Sequence, residues 1–122
     1  MRSDGTALPG FKDRSVFNID AIRVGLTGAA LTETPQVASS GDLKFAALVA
    51  SMQEQCRTLR AEGADFVIAV VHAPRDQDME LFHSRAADVI LTGHDHDLFI
   101  DYDGRTAIVE SSSDAHYVTV ID

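Results

Sequence analysis

The 122 residues fit one domain, 1–122, with 45% hydrophobic residues and enough chain to bury a core. Ten Lys+Arg against 19 Asp+Glu leave a net charge of -9, which argues against a nucleic-acid backbone or an anionic membrane surface as partner. It does not exclude a phosphate ester, because bound divalent cations reverse the sign of the field inside a cleft.

Cys56 is the single cysteine, so an internal disulfide is excluded. It falls on the apolar side of a predicted helix, where a buried, inert thiol is expected. No run approaches the roughly 20 apolar residues of a membrane span, and the opening MRSDGTALPGFKDR has no hydrophobic signal core.

Met1 to Arg14 is polar, holds Gly5, Pro9 and Gly10, and reads as a loop. Ser15 to Asp20 and Ile22 to Leu26 both alternate, which predicts a hairpin turning at Asp20-Ala21. Thr27 to Ser40, rich in Thr, Ser, Gly and Pro, reads as a long loop. Phe45, Leu48, Val49, Met52, Cys56 and Leu59 then recur at three and four, the period of one helical face. Ser40 or Asp42 is placed to cap that helix, and Gly63 sits where a left-handed C-terminal cap belongs.

Val89 to Leu91 is a continuous apolar run of the kind found in strands buried on both faces, and Phe66 to Val71, ending on His72, repeats the design. A second helix is expected over Asp78 to Ala87, with His83 on its surface and Asp76 and Asp78 either capping it or orienting a ligand imidazole. The strand Asp88 to Leu91 follows, then Gly93, expected to carry unusual backbone angles, and then His94, Asp95 and His96. Helix-then-strand order, used twice, indicates α/β layering with parallel neighbours. Asp103-Gly104-Arg105 between Leu98 to Tyr102 and Thr106 to Glu110 is a hairpin signal. Ser111 to Asp114 is a polar turn, and Tyr117 to Ile121 predicts a last strand.

Alternate residues of an extended segment point the same way, so His94 and His96 can aim into one cleft at a strand's carboxyl end. If the two apolar strands are neighbours, His72 joins them. Three imidazoles suit zinc, iron, manganese or nickel better than calcium or magnesium. His72, His94 and His96 are therefore the expected metal ligands.

The stretches IRVGLTG (Ile22 to Gly28), ADFVIAVVHAP (Ala64 to Pro74), DVILTGHDH (Asp88 to His96) and TAIVESSSDAHYVTVID (Thr106 to Asp122) resemble the second half of the catalytic domain of the calcineurin-like metallophosphoesterases. The resemblance is nearest to the 5′-nucleotidase and 2′,3′-cyclic-nucleotide phosphodiesterase branch. It implies a layered β-sandwich flanked by helices, of which this chain is the C-terminal half. It also implies hydrolysis of a nucleotide or other phosphate ester in the parent enzyme, and a secreted or periplasmic parent. Two divalent metals (Zn, Mn or Fe) activate a bridging hydroxide in that family and neutralise charge on the phosphoryl oxygens. By the same resemblance His72 and His94 would ligate one metal and His96 the other.

The family's preceding motifs, DxH, GD and GNH[DE], do not occur here in order. Gly41-Asp42 reads better as a helix start, and Asp114-Ala115-His116 comes after GHDH, where the family's domain ends. A catalytic residue is thus not assigned, and a fragment holding at most one metal, without turnover, is expected. A chain lacking the partner half would expose sheet surface, so self-association into a homo-oligomer is expected as well. The alternative is a non-catalytic zinc-binding or self-assembling α/β module. A third reading, a plain α/β domain without metal, is separated from both by metal content.

Overall fold

The computed structural model describes residues 9–31, 41 and 44–122. Six strands, β1 (Arg14–Ile19), β2 (Ile22–Ala30), β3 (Phe66–His72), β4 (Val89–Thr92), β5 (Leu98–Tyr102) and β6 (Ala107–Ser111), form one mixed sheet in the order β1-β2-β3-β4-β6-β5. The four inner strands are mutually parallel; β1 and β5 pair antiparallel at the two edges. Among the described residues two helices, α1 (Leu48–Ala61) and α2 (Arg75–Ser84), lie over one face of the sheet. The α/β layering read from the helix-strand order is what the chain adopts. The sheet advances steadily from β2 to β3 to β4, so crossovers of one hand place both helices on one face. They pack against each other there.

The core lies between that face and the helices. Leu48, Met52, Cys56 and Leu59 of α1 meet Val67, Ala69 and Val71 of β3, Ile90 of β4 and Ile108 of β6. Gly25 of β2 lets the helix come close, because a Cβ there would stand 3.0 Å from a Leu59 methyl. After α1, Gly63 at φ +88° donates to the Arg60 carbonyl and Ala64 donates to the Leu59 carbonyl. These two bonds satisfy carbonyls that the helix end leaves open. The Arg60 guanidinium then bonds Asp88, whose carboxylate also accepts the Val67 amide, tying α1 to β3 and β4.

Among the described residues the opposite face carries no helix. The expectation that β3 and β4 are buried on both faces is therefore corrected: Val67 is fully buried, whereas Phe66, Val70 and Leu91 are 37 to 44% exposed. Periodicity cannot distinguish a strand covered twice from one whose second face is apolar but open.

Several boundaries also differ. Thr27 to Ala30, expected in a loop, continue β2, held by pairing with Ala69 to His72. The β1-β2 hairpin forms as expected, with Asp20 taking the left-handed conformation (φ +52°) that the turn requires. Helix α1 begins at Leu48, after Ala47 and without a side-chain cap, so Phe45 precedes it. The expected caps Ser40 and Asp42 lie outside the described residues.

Helix α2 starts three residues earlier than predicted, directly after Pro74, with Asp76 and Asp78 in its first turn. Carboxylates there suit the positive end of the helix dipole, and Arg85 in the left-handed region ends the helix before Ala87. Tyr117 to Ile121 is not a strand; Val118 is 88% exposed. Its nearest neighbour in sequence, β6, already has β4 on one side and β5 on the other, so the segment cannot pair with β6. Among the described residues no helix is long and apolar enough to cross a membrane.

Candidate functional site

Parallel pairing brings the carboxyl ends of β3 and β4 together. The Ala73 amide donates to the Gly93 carbonyl (3.2 Å), which fixes His72 beside the loop that carries His94. His72 Nε2 and His94 Nδ1 stand 3.3 Å apart, with the rings edge to face at 87°. His72, at the strand's end on the helix-free side of the sheet, is exposed.

Two nitrogens bound at about 2.0–2.1 Å to one tetrahedral ion stand roughly 3.3–3.4 Å apart, so this pair fits a divalent transition metal by donor type and by spacing. The same separation suits a hydrogen bond when one ring carries the intervening proton.

His96 lies exposed on the same loop, its carbonyl accepting the Ser112 hydroxyl. Among the described residues no group of three or more His, Cys, Asp or Glu side chains is gathered as a metal cluster. His83 is exposed in the last turn of α2 beside Phe82, as expected of a surface residue. Asp114 and Ala115, both at positive φ, form a turn in which the His116 amide donates to the Ser113 carbonyl.

The histidine loop departs from expectation at its backbone. Gly93 is not at positive φ; His94 (φ +153°) and His96 (φ +63°) are. Such angles cost side-chain-bearing residues of order 1–3 kcal/mol each and persist only where surroundings hold them. The holder is Glu110, a residue that sequence reading passed over as the end of a strand. Its carboxylate is 1% exposed, and Oε1 accepts the amides of both His94 (3.1 Å) and His96 (3.0 Å). Oε2 accepts from Arg75 Nη2 at 2.7 Å, and the same guanidinium stacks 3.9 Å from the centre of the Phe99 ring.

Topology explains the meeting. Because β6 inserts between β4 and β5, the loop from β4 to β5 must cross the carboxyl end of β6, where Glu110 stands.

Asp78, expected to cap α2 or to orient an imidazole, does neither through any contact seen here. It is fully buried and accepts the Thr92 hydroxyl at 2.7 Å, just before the histidine loop. Its other oxygen is buried without a partner. Burial pushes its carboxyl up to about 6. Asp76 accepts the Gln77 amide.

No family model matches the chain. Among solved structures, the sulfate thiohydrolase SoxB of Thermus thermophilus superposes on 88% of this chain with a TM-score of 0.74 at 28% identity. A 5′-nucleotidase precursor from Thermus thermophilus superposes on 85% with a TM-score of 0.73 at 20% identity. In its fold the chain is similar to these calcineurin-like metallophosphoesterases.

It spans 21% and 25% of those two proteins. A cell wall protein of Listeria monocytogenes is 24% identical over 90% of this chain and 17% of its own length. The mixed six-stranded sheet and the two described helices superpose on a part of each of these neighbours.

Proposed function

We propose that this chain is the metal-holding half of a phosphoric ester hydrolase of the 5′-nucleotidase type, with His72 and His94 ligating one divalent metal (Zn, Mn or Fe) and His96 directed to a second. The observation that supports it most is the imidazole pair, brought to tetrahedral-edge spacing by two strand ends that the sheet makes neighbours. A bound metal would supply an activated water and neutralise phosphoryl charge. The chain's own residues contribute two imidazole nitrogens and a buried carboxylate beneath the loop. DxH, GD and GNH[DE] are absent in order from the sequence, so these 122 residues by themselves hold at most one metal and do not turn over substrate. The parent's substrate is a nucleotide or related phosphate ester, in keeping with a neighbour that is a 5′-nucleotidase precursor. A secreted or periplasmic parent accords with the name of the Listeria relative.

Elemental analysis of wild type beside His94→Ala, with aryl-phosphate hydrolysis measured on the same samples, tests this. About one metal per wild-type chain, lost in the variant and without turnover, is expected. Equal metal in both samples, or none in either, refutes the ligand assignment for this chain.

The apolar face left exposed among the described residues favours a second reading, a self-assembling module in which the histidines hold structure. Metal that raises the melting temperature, together with a concentration-dependent assembly, would support that one.

A further inference from the structure

We propose that Glu110 is a positioning residue for the histidine loop: its buried carboxylate, held by Arg75, fixes the backbone of His94 and His96 so that the His94 ring meets His72. The inference rests on the reading of those histidines as metal ligands, and it concerns a residue that touches no metal itself.

Three observations converge on Glu110. Its side chain is 1% exposed, so the negative charge is withdrawn from water, which is tolerated only where partners replace the solvent. Those partners come from two places. Arg75, on the helix layer, meets Oε2, while the two amides of the loop meet Oε1. The two amides flank Asp95 and belong to the two histidines with positive φ, which is where the chain needs help to stay. Bonds to an ionised acceptor are shorter and stronger than neutral ones, and a single oxygen bridging residues 94 and 96 sets their relative orientation.

Both oxygens are acceptors and every group facing them is a donor. A glutamine of the same shape has one acceptor and one NH2 donor, so in either orientation a donor meets donors. Glu110→Gln therefore breaks one side of the clamp without changing side-chain volume.

The test uses the full chain, first without metal. In wild type, NMR is expected to show downfield, exchange-protected amides at His94 and His96 and a ring-to-ring NOE between His72 and His94. In Glu110→Gln, exchange at both amides accelerates at least about tenfold and the NOE is lost. Zn2+ affinity, by competition with a chromophoric chelator, falls about 10–100-fold. Ile108→Val, a truncation in the helix-side core on the same strand, lowers the melting temperature yet leaves amides, NOE and affinity unchanged. If Glu110→Gln does not fold, Arg75→Met, which removes the partner of Oε2, is expected to give smaller changes in the same direction.

Amides and NOE unaffected by Glu110→Gln or Arg75→Met would overturn the proposal. So would amides that change while the NOE and Zn2+ affinity stay at wild-type values, since the clamp would then be structural only. A wild type that takes up no Zn2+ defeats the metal reading instead, and the amides and NOE still decide the role of Glu110.

Discussion

Replacing Asp78 by Asn should change how stability depends on pH. Asp78 is fully buried, and its carboxyl is pushed from 3.8 to about 6, first by burial and against the opposing pull of the Thr92 hydroxyl and Arg75. The folded chain thus keeps a proton over a range in which the unfolded chain has released it. Stability therefore falls as pH rises from about 4 through about 6, then levels off. The difference between 3.8 and about 6, at 1.36 kcal/mol per pH unit, amounts to about 3 kcal/mol. Asn keeps an acceptor for Thr92 and has no charge to bury. Any constant cost of its NH2 group cancels between one pH and another. Urea unfolding of wild type and Asp78→Asn at half-unit steps from pH 4 to 8 should show the difference moving by about 3 kcal/mol in favour of the variant, with the change confined to pH 4–6. A difference that stays flat with pH would refute the reasoning, because it would mean that Asp78 ionises in the fold as easily as in water.

Gly63→Ala places a side chain at φ +88° in the cap of α1 and should cost about 1–2 kcal/mol in urea unfolding; an unchanged midpoint would show that the cap adopts another form. Val70→Lys puts a charge on the helix-free face of β3, where Val70 is 44% exposed. If that face drives self-association, size-exclusion chromatography should show the variant eluting smaller than wild type at equal concentration, and identical elution would remove the face from consideration.

Much of the fold was written in local pattern. Leu48, Met52, Cys56 and Leu59 announced α1 by spacing, Gly63 announced its end, and Asp103-Gly104 announced the β5-β6 hairpin; each is a signal carried within a few residues. The errors fell where a neighbour distant in sequence decides. Thr27 to Ala30 look like loop residues and are strand because β3 lies alongside. Tyr117 to Ile121 look like a strand and are not, because β6, the strand next to them in sequence, is paired on both sides.

The candidate site divides the same way. The chain names His72, His94 and His96 by putting histidines after apolar runs, a chemical choice visible without coordinates. It could not name Glu110, which in the sequence is one more residue at the end of an alternating run. That glutamate gains its role only because β6 threads between β4 and β5, so that the loop bearing two histidines must pass over it. Nor could it tell that Asp78 would be buried, since a first-turn aspartate is ordinarily a solvated one. Composition and periodicity fix which segments fold and which side chains can bind. Strand order, a long-range property, fixed which of them meet.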